Sequence, residues 1–124
     1  MSVSMDQLNQ ILTAFNDHDL DGIMEWFAED SEFLLAKGTK PHGERFVGKP
    51  AIREILGMRF KSMPDIQWQD GQSWIMGDKA LSEWRVTGTA PTGRIDCLGC
   101  DLWEFRQGKI VKKDTYYKQV VTTD

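Results

Sequence analysis

Residues 84–118 read WRVTGTAPTG, RIDCLGCDLWEFRQGKI and VKKDTYYK. Three runs rich in aromatic, aliphatic and β-branched residues are separated by Ala90-Pro91-Thr92-Gly93 and Arg106-Gln107-Gly108-Lys109, which carry turn chemistry. The pattern predicts three long antiparallel strands. In the middle one a single carboxylate, Asp101, interrupts an otherwise apolar run from Cys97 to Trp103. Side chains alternate between faces along a strand. Gly99, Asp101, Trp103 and Phe105 therefore share one face, and Leu98, Cys100, Leu102 and Glu104 the other. Both faces are mostly apolar, so the strand is expected to be covered on both sides. The chain's own helices would supply one cover, and a second copy of the protein, in a homodimer, the other.

The second turn decides what faces Asp101. In a tight two-residue loop, Asp114 lies opposite it. If Gly108 takes a positive φ in a bulged turn, the parity moves by one, and Lys113, Thr115 and Tyr117 share its face. Two facing carboxylates are unfavourable without a cation, which favours the bulged form.

The segments upstream complete the fold class. Ile66 to Met76 and Ala80 to Thr89 read as two further strands joined at Gly77-Asp78. Before them, Pro50 opens a helix whose stripe is Ile52, Ile55, Leu56, Arg59, Phe60 and Met63, and Pro64 ends it. Residues 37–49 read as a long loop rich in glycine and charge, and such loops are often functional rims. Ser31 to Ala36 is a short strand. Ser4 and Gln7 fit a capping box for a first helix with Leu8, Ile11, Leu12 and Phe15 on its apolar face. Asn16-Asp17-His18 breaks it. Asp19 caps a second helix with Leu20, Ile23, Met24 and Phe27 on its buried face. The expectation is an α+β protein, a single domain over residues 1–124, with a curved antiparallel sheet packed on three N-terminal helices.

Composition narrows the function. The chain has 124 residues, enough to bury a substantial core. Its net charge is −4 with acids and bases interspersed, which argues against nucleic acid or an anionic membrane as a partner. No apolar run approaches the roughly 18 residues of a membrane-spanning helix, and the first ten residues do not read as a signal peptide. Cys97 and Cys100 are spaced C-x-x-C, but residues three apart in a strand point to opposite faces. They read as two small reduced thiols of a cytoplasmic protein rather than a redox or metal pair. No metal is expected.

Several stretches together resemble the nuclear transport factor 2-like superfamily, and within it the SnoaL-like polyketide cyclase and ketosteroid isomerase relatives. They are DLDGIMEWFAEDSEF (residues 19–33), GERFVGKPAIREIL (43–56), TAPTGR (89–94) and LWEFRQGKI (102–110). The resemblance spans most of the chain. It implies a cone-shaped, cystatin-like sheet wrapped round three helices, a deep and mainly apolar pocket, and a dimer. It places Asp101 where ketosteroid isomerases carry the carboxylic acid of their oxyanion hole. In those enzymes, which are relatives and not this protein, an apolar site keeps that acid neutral. Trp84, Val86, Phe27, Leu56, Thr115 and Tyr117 fall on pocket-wall positions. Leu35 falls where the isomerases have their general-base aspartate, and Ile11 near their oxyanion-hole tyrosine. Thr115 falls where limonene epoxide hydrolases and SnoaL-type cyclases have an aspartate. The epoxide hydrolases' arginine and aspartate two apart are represented here by Arg85 and Thr87.

Asp101 is the first catalytic candidate. Among Trp103, Trp84 and aliphatic residues, desolvation disfavours its charged form. As a neutral acid it could donate to a substrate carbonyl and stabilise an enolate. The plainer alternative is a pair with Lys113 or Arg85, or bonds to backbone N–H groups. Tyr117 is the second candidate, as donor or platform. Phe15, Phe27, Leu35, Leu56, Trp84, Val86, Trp103, Lys113 and Thr115 are the expected pocket. His42 could overhang the mouth, His18 reads as structural, and Glu32 is a possible displaced base. Two functions follow. One is a cofactor-free enzyme running an isomerisation or aldol-type cyclisation on a small apolar carbonyl compound. The other is a non-catalytic binding or dimerisation module with the same pocket. An enclosed cavity with a second titratable group beside Asp101 favours the first, and a filled core favours the second.

Overall fold

A computed structural model describes residues 3–121 of the protein. Helix α1 (Met5–Asn16) begins at a reciprocal cap. The Ser4 hydroxyl accepts from the Gln7 amide at 3.1 Å, and the Gln7 side chain accepts from the Ser4 amide at 2.9 Å. Its buried face is Leu8, Ile11 and Phe15. Helix α2 (Leu20–Trp26) is capped by Asp19, which accepts from the Gly22 amide.

Phe27 does not belong to that helix. It is extended, at φ −86° and ψ 138°, and opens strand β1 (Phe27–Leu34). No glycine or proline separates helix from strand. Pairing with the last strand, at Phe27 opposite Ile110, takes over the backbone instead. β1 therefore starts four residues before the run that reads as a strand, Ser31 to Ala36. The segment expected to be all loop contains strand β2 (Arg45–Val47), which pairs antiparallel with β1. Helix α3 (Lys49–Ser62) follows Gly48, whose φ of 90° is the left-handed conformation glycine adopts freely. Pro50 sits in its first turn.

The remaining strands, β3 (Gln67–Met76), β4 (Lys79–Ala90), β5 (Gly93–Arg106) and β6 (Lys109–Tyr117), form the expected antiparallel meander. The spatial order is β2-β1-β6-β5-β4-β3. β1 lies parallel to β6, so the curved, unclosed sheet is mixed rather than wholly antiparallel. The three helices pack on its inner face. There α1, α2 and α3 contribute Leu8, Ile11, Phe15, Ile23, Met24, Ile52 and Leu56 to one core with Phe27, Phe33, Trp103, Phe105 and Ile110. A smaller cluster of Ile66, Trp84 and Val86 packs beside Met63, Ile95 and Tyr117.

The hairpin after β5 sets the site's register in an unexpected way. Arg106 pairs directly with Lys109, and Gln107 and Gly108 have φ of 51° and 78°. That is a tight two-residue turn, not a bulged one. The extra residue is Val111, because the pairs step from Phe105–Ile110 to Glu104–Lys112. This bulge inside β6 shifts the parity, so Thr115 stands opposite Asp101 and Lys113 opposite Trp103. On the outer face, Leu98, Leu102 and Tyr116 are exposed. The second cover expected for that face does not come from the described residues of this chain.

Candidate functional site

The inner face of β4, β5 and β6 carries a buried polar row in an otherwise apolar layer. Asp101 and Lys113 are 3% and 5% exposed, and the Lys113 Nζ lies 2.8 Å from Asp101 Oδ1. The Thr115 hydroxyl donates to the same oxygen at 2.7 Å and accepts from Lys113 Nζ at 2.9 Å. The Trp84 indole donates to Oδ2 at 3.0 Å. Gly99 makes this last bond possible. It sits opposite Trp84, and a Cβ there would lie 2.6 Å from the Trp84 ring. Beside this group, the Trp103 indole donates to Ser82 Oγ at 3.0 Å, and Ser82 bonds Ser73 at 2.8 Å.

These partners occupy both carboxyl oxygens of Asp101, with Lys113 and Thr115 on Oδ1 and the Trp84 indole on Oδ2, so its hydrogen-bonding capacity is taken up within the protein. Three rings complete the cation's surroundings. Phe33, Phe15 and Trp103 have centroids 4.7, 5.3 and 5.7 Å from the Lys113 Nζ, so their π-faces help replace its lost hydration. Within the described residues, then, the plainer alternative, pairing with Lys113, describes Asp101, while Arg85 pairs with Asp96 at 2.7 Å.

A small cavity of about 20 Å³ lies beside this pair, with room for roughly one water-sized group. Phe15, Leu35, Leu56, Lys113, Thr115 and Tyr117 line it, together with Phe33, Ala36, Ile55, Arg59 and Trp68. Asp101 is not on its wall, because Lys113 and Thr115 take that place. Phe27 and Trp103 are packed in the main core, and Trp84 and Val86 in the smaller cluster. These four do not reach the cavity. Trp84 nonetheless touches the site, through Asp101 and through an edge contact with Tyr117 at 5.8 Å between centroids.

The cavity adjoins a surface cleft of about 460 Å³. Leu35, Ala36, Arg59 and Tyr117 line both spaces, and Met63, Ile95, Lys37 and Glu44 extend the outer one. The Arg59 Nη1 donates to the Tyr117 hydroxyl at 3.3 Å where the two spaces meet. The rim is held by the loop after β1. Leu35 and Glu44 bond through their backbones at 2.9 Å, and Gly43, at φ 78°, passes so close to the Leu35 carbonyl that a Cβ would lie 2.0 Å from it. At the opposite wall, Asn16 bonds both backbone groups of Trp68, at 2.8 and 3.0 Å. This fixes the end of α1 to β3 and sets Phe15 edge-on against Trp68.

The other candidates fall outside the cavity. His42 is exposed in the loop, and Glu32 is engaged by Arg45 at 2.6 Å on the far edge of β1. His18 stacks on Phe60 and bonds the Ile66 carbonyl. Cys97 and Cys100 are free thiols, pushed up in pKa chiefly by burial. Tyr116, on the outer face, is also pushed up, chiefly by the neighbouring Asp114 carboxylate. Among the described residues, no three His, Cys, Asp or Glu side chains converge as a metal site would need. Among the described residues, no helix is long and apolar enough to cross a membrane.

Phe33, Ala36, Ile55, Arg59 and Trp68 are the cavity residues that sequence reasoning did not single out. A signal for Arg59 was present: a cation at a core-facing position of the α3 stripe, three residues after Leu56.

Residues 8–113 match the family model described as SnoaL-like domain. A search of curated protein sequences finds no match. Among solved structures, a candidate polyketide cyclase from Xanthomonas campestris pv. campestris superposes with a TM-score of 0.80. Its identity is 22%, over 91% of this chain and 88% of that one. Another candidate polyketide cyclase, from Pseudomonas putida KT2440, gives 0.83 at 18% identity over 95% and 93%. A protein of unknown function with a cystatin-like fold from Xanthomonas campestris gives 0.83 at 17% identity over 94% and 92%. At these identities the likeness is one of fold.

Proposed function

The chain belongs to the SnoaL-like domain family, and from that membership we propose that it is a cofactor-free enzyme acting on a small apolar carbonyl compound, by isomerisation or aldol-type cyclisation. The observation that carries this reading is the buried Lys113 ammonium on the cavity wall, held 2.8 Å from Asp101. A ligand's apolar body would occupy the outer cleft, and its carbonyl would enter the inner cavity past Tyr117. There the ammonium acts as donor toward the oxygen, while the Thr115 hydroxyl, whose one O–H goes to Asp101, helps to hold the ammonium in place. Charge that develops on that oxygen during enolisation is stabilised by a preorganised cation in a water-poor site. Asp101 is a positioning residue in this scheme. It fixes the ammonium and the hydroxyl without touching the ligand. Water at the mouth is the proton acceptor.

The test is α-proton exchange of 2-tetralone in deuterated buffer, followed by proton NMR. The wild type should exchange faster than buffer, and Lys113→Met should lose about 10²-fold of that acceleration. Exchange at the buffer rate with the wild-type protein would sink the enzymatic reading.

One observation favours a second reading, a non-catalytic binding module. Among the described residues no carboxylate or imidazole lines the inner cavity, which is itself nearly filled. The module would retain ligand affinity with no exchange. In either case we place a second copy of the chain on the outer face of β5 and β6, where Leu98, Leu102 and Tyr116 are exposed. The cytoplasm, where Cys97 and Cys100 stay reduced, is the proposed setting.

A further inference from the structure

Arginine pairing in this protein follows a pattern with two exceptions. The chain has six arginines. Arg45, Arg53, Arg85 and Arg106 each pair with a carboxylate. Among the described residues, no carboxylate lies within 4 Å of Arg59 or Arg94. Arg94 is exposed, and its guanidinium bonds Thr89. Arg59 is different. It is half-buried, it lines both the inner cavity and the outer cleft, and its one side-chain partner is the neutral Tyr117 hydroxyl at a long 3.3 Å.

A guanidinium has five donors in a planar fork matched to a carboxylate. Among the described residues only one of those donors meets a protein side chain, and none of the others is buried without a partner, so they face the cleft and can be given to a ligand without breaking another bond within the protein. The wall beside it is apolar: Leu35, Ile55, Leu56 and Met63. The protein as a whole is acidic, so a general affinity for anions does not explain this local arrangement.

We propose that Arg59 and the Tyr117 hydroxyl form an anion subsite at the pocket mouth, and that the ligand is an acidic carbonyl compound, an apolar keto acid or an equivalent ionised hydroxyl, rather than a neutral ketone. The anion bridges Arg59 and Tyr117 at the mouth while the carbonyl points inward to Lys113. This rests on the carbonyl-pocket reading above and specifies its substrate class. Entry of the anion replaces the long Arg59–Tyr117 bond with two charge-assisted ones, so ligand binding and opening of the mouth are the same event.

The experiment compares 2-naphthylglyoxylate with 2-acetonaphthone, which share the ring system and ketone and differ in a carboxylate beside the carbonyl in place of the methyl group. Binding is read by quenching of tryptophan fluorescence. The wild type should bind the acid at least about tenfold more tightly than the neutral ketone. Arg59→Gln should remove most of that ratio, and Arg59→Lys should restore part of it. Arg53→Gln makes the same charge change on the same helix, but at a residue paired with Asp21 and facing away from the clefts, and should leave the ratio unchanged. Equal affinity for the two compounds overturns the anion subsite while leaving the carbonyl pocket standing. An equal loss for Arg53→Gln and Arg59→Gln also overturns it, by showing a general field effect. Failure of both compounds to bind overturns the pocket reading and this inference with it.

Discussion

Lys113 and Asp101 are diagonal neighbours across β6 and β5, with Nζ 2.8 Å from Oδ1 and neither side chain more than 7% exposed. Buried ion pairs of this kind contribute little net stability over an apolar pair of the same volume, yet removing one partner is severe because it strands the other charge. Asp101→Asn is therefore expected to destabilise the fold by about 3–5 kcal/mol, read by urea denaturation. The double variant Asp101→Leu with Lys113→Met should lose less than the single one. A single variant as stable as the wild type would show that the pair is not closed in solution.

Gly99 serves Trp84. With a Cβ at position 99 only 2.6 Å from the indole ring, Gly99→Ala must move the ring or the strand. Overpacking at such a site costs about 1–3 kcal/mol. The indole bond to Asp101 should be lost as well, which the Trp84 side-chain N–H resonance reports. An unshifted resonance in a fully stable variant contradicts the packing described.

Val111 is the residue that the register of the site steps over. Deleting it would make the ladder regular from Phe105–Ile110 to Glu104–Lys112 and leave Thr115 opposite Asp101. The expected outcome is a variant that still unfolds cooperatively with Lys113 and Thr115 on the inner face. Loss of the cooperative transition in the deletion variant would contradict the pairing described.

Acid sensitivity should come from surface carboxylates that hold a bond in the fold. Asp65 is held below its ordinary value of 3.8 first by the Thr89 backbone amide, and Asp96 first by the Arg85 guanidinium. A folded value depressed below the unfolded one gives stability that is complete above the unfolded value and is lost as pH falls through the folded one. The melting temperature should thus be flat from neutral pH down to the carboxylate range and fall below about pH 4. Both groups are exposed, so the individual effects are small. Asp65→Asn should shallow the acid fall. A stability loss centred near pH 6 would point to histidine instead.

Much of this arrangement is legible in the residues. Alternation along β5 puts Asp101 on the inner face with Trp103 and Phe105. The repulsion between two facing carboxylates indicates that Thr115, not Asp114, stands opposite. The position of the bulge is not legible. One extra residue at Gly108 or at Val111 gives the same parity beyond it, and Gln107-Gly108 is compatible with either turn. The start of β1 is hidden because Phe27 suits a helix face and a strand equally, and its partner Ile110 lies 83 residues on. β2 is three residues long in a charged loop, too short for a periodic signal. Arg59 falls within an apolar helical stripe, and spacing places a residue on a face without saying whether that face meets core or cavity. The depth of Asp101 behind Lys113 and Thr115 follows from sheet curvature, which no local pattern encodes.

The central claim is that the Lys113 ammonium meets the ligand's carbonyl oxygen. The most direct measurement is the carbon-13 NMR shift of 2-tetralone labelled at the carbonyl, bound to wild-type protein and to Lys113→Met. Polarisation by the ammonium predicts a downfield carbonyl resonance in the wild-type complex, falling back toward its position in an apolar solvent in Lys113→Met. A ketone that binds the wild type with its carbonyl resonance at the apolar-solvent position would contradict the account.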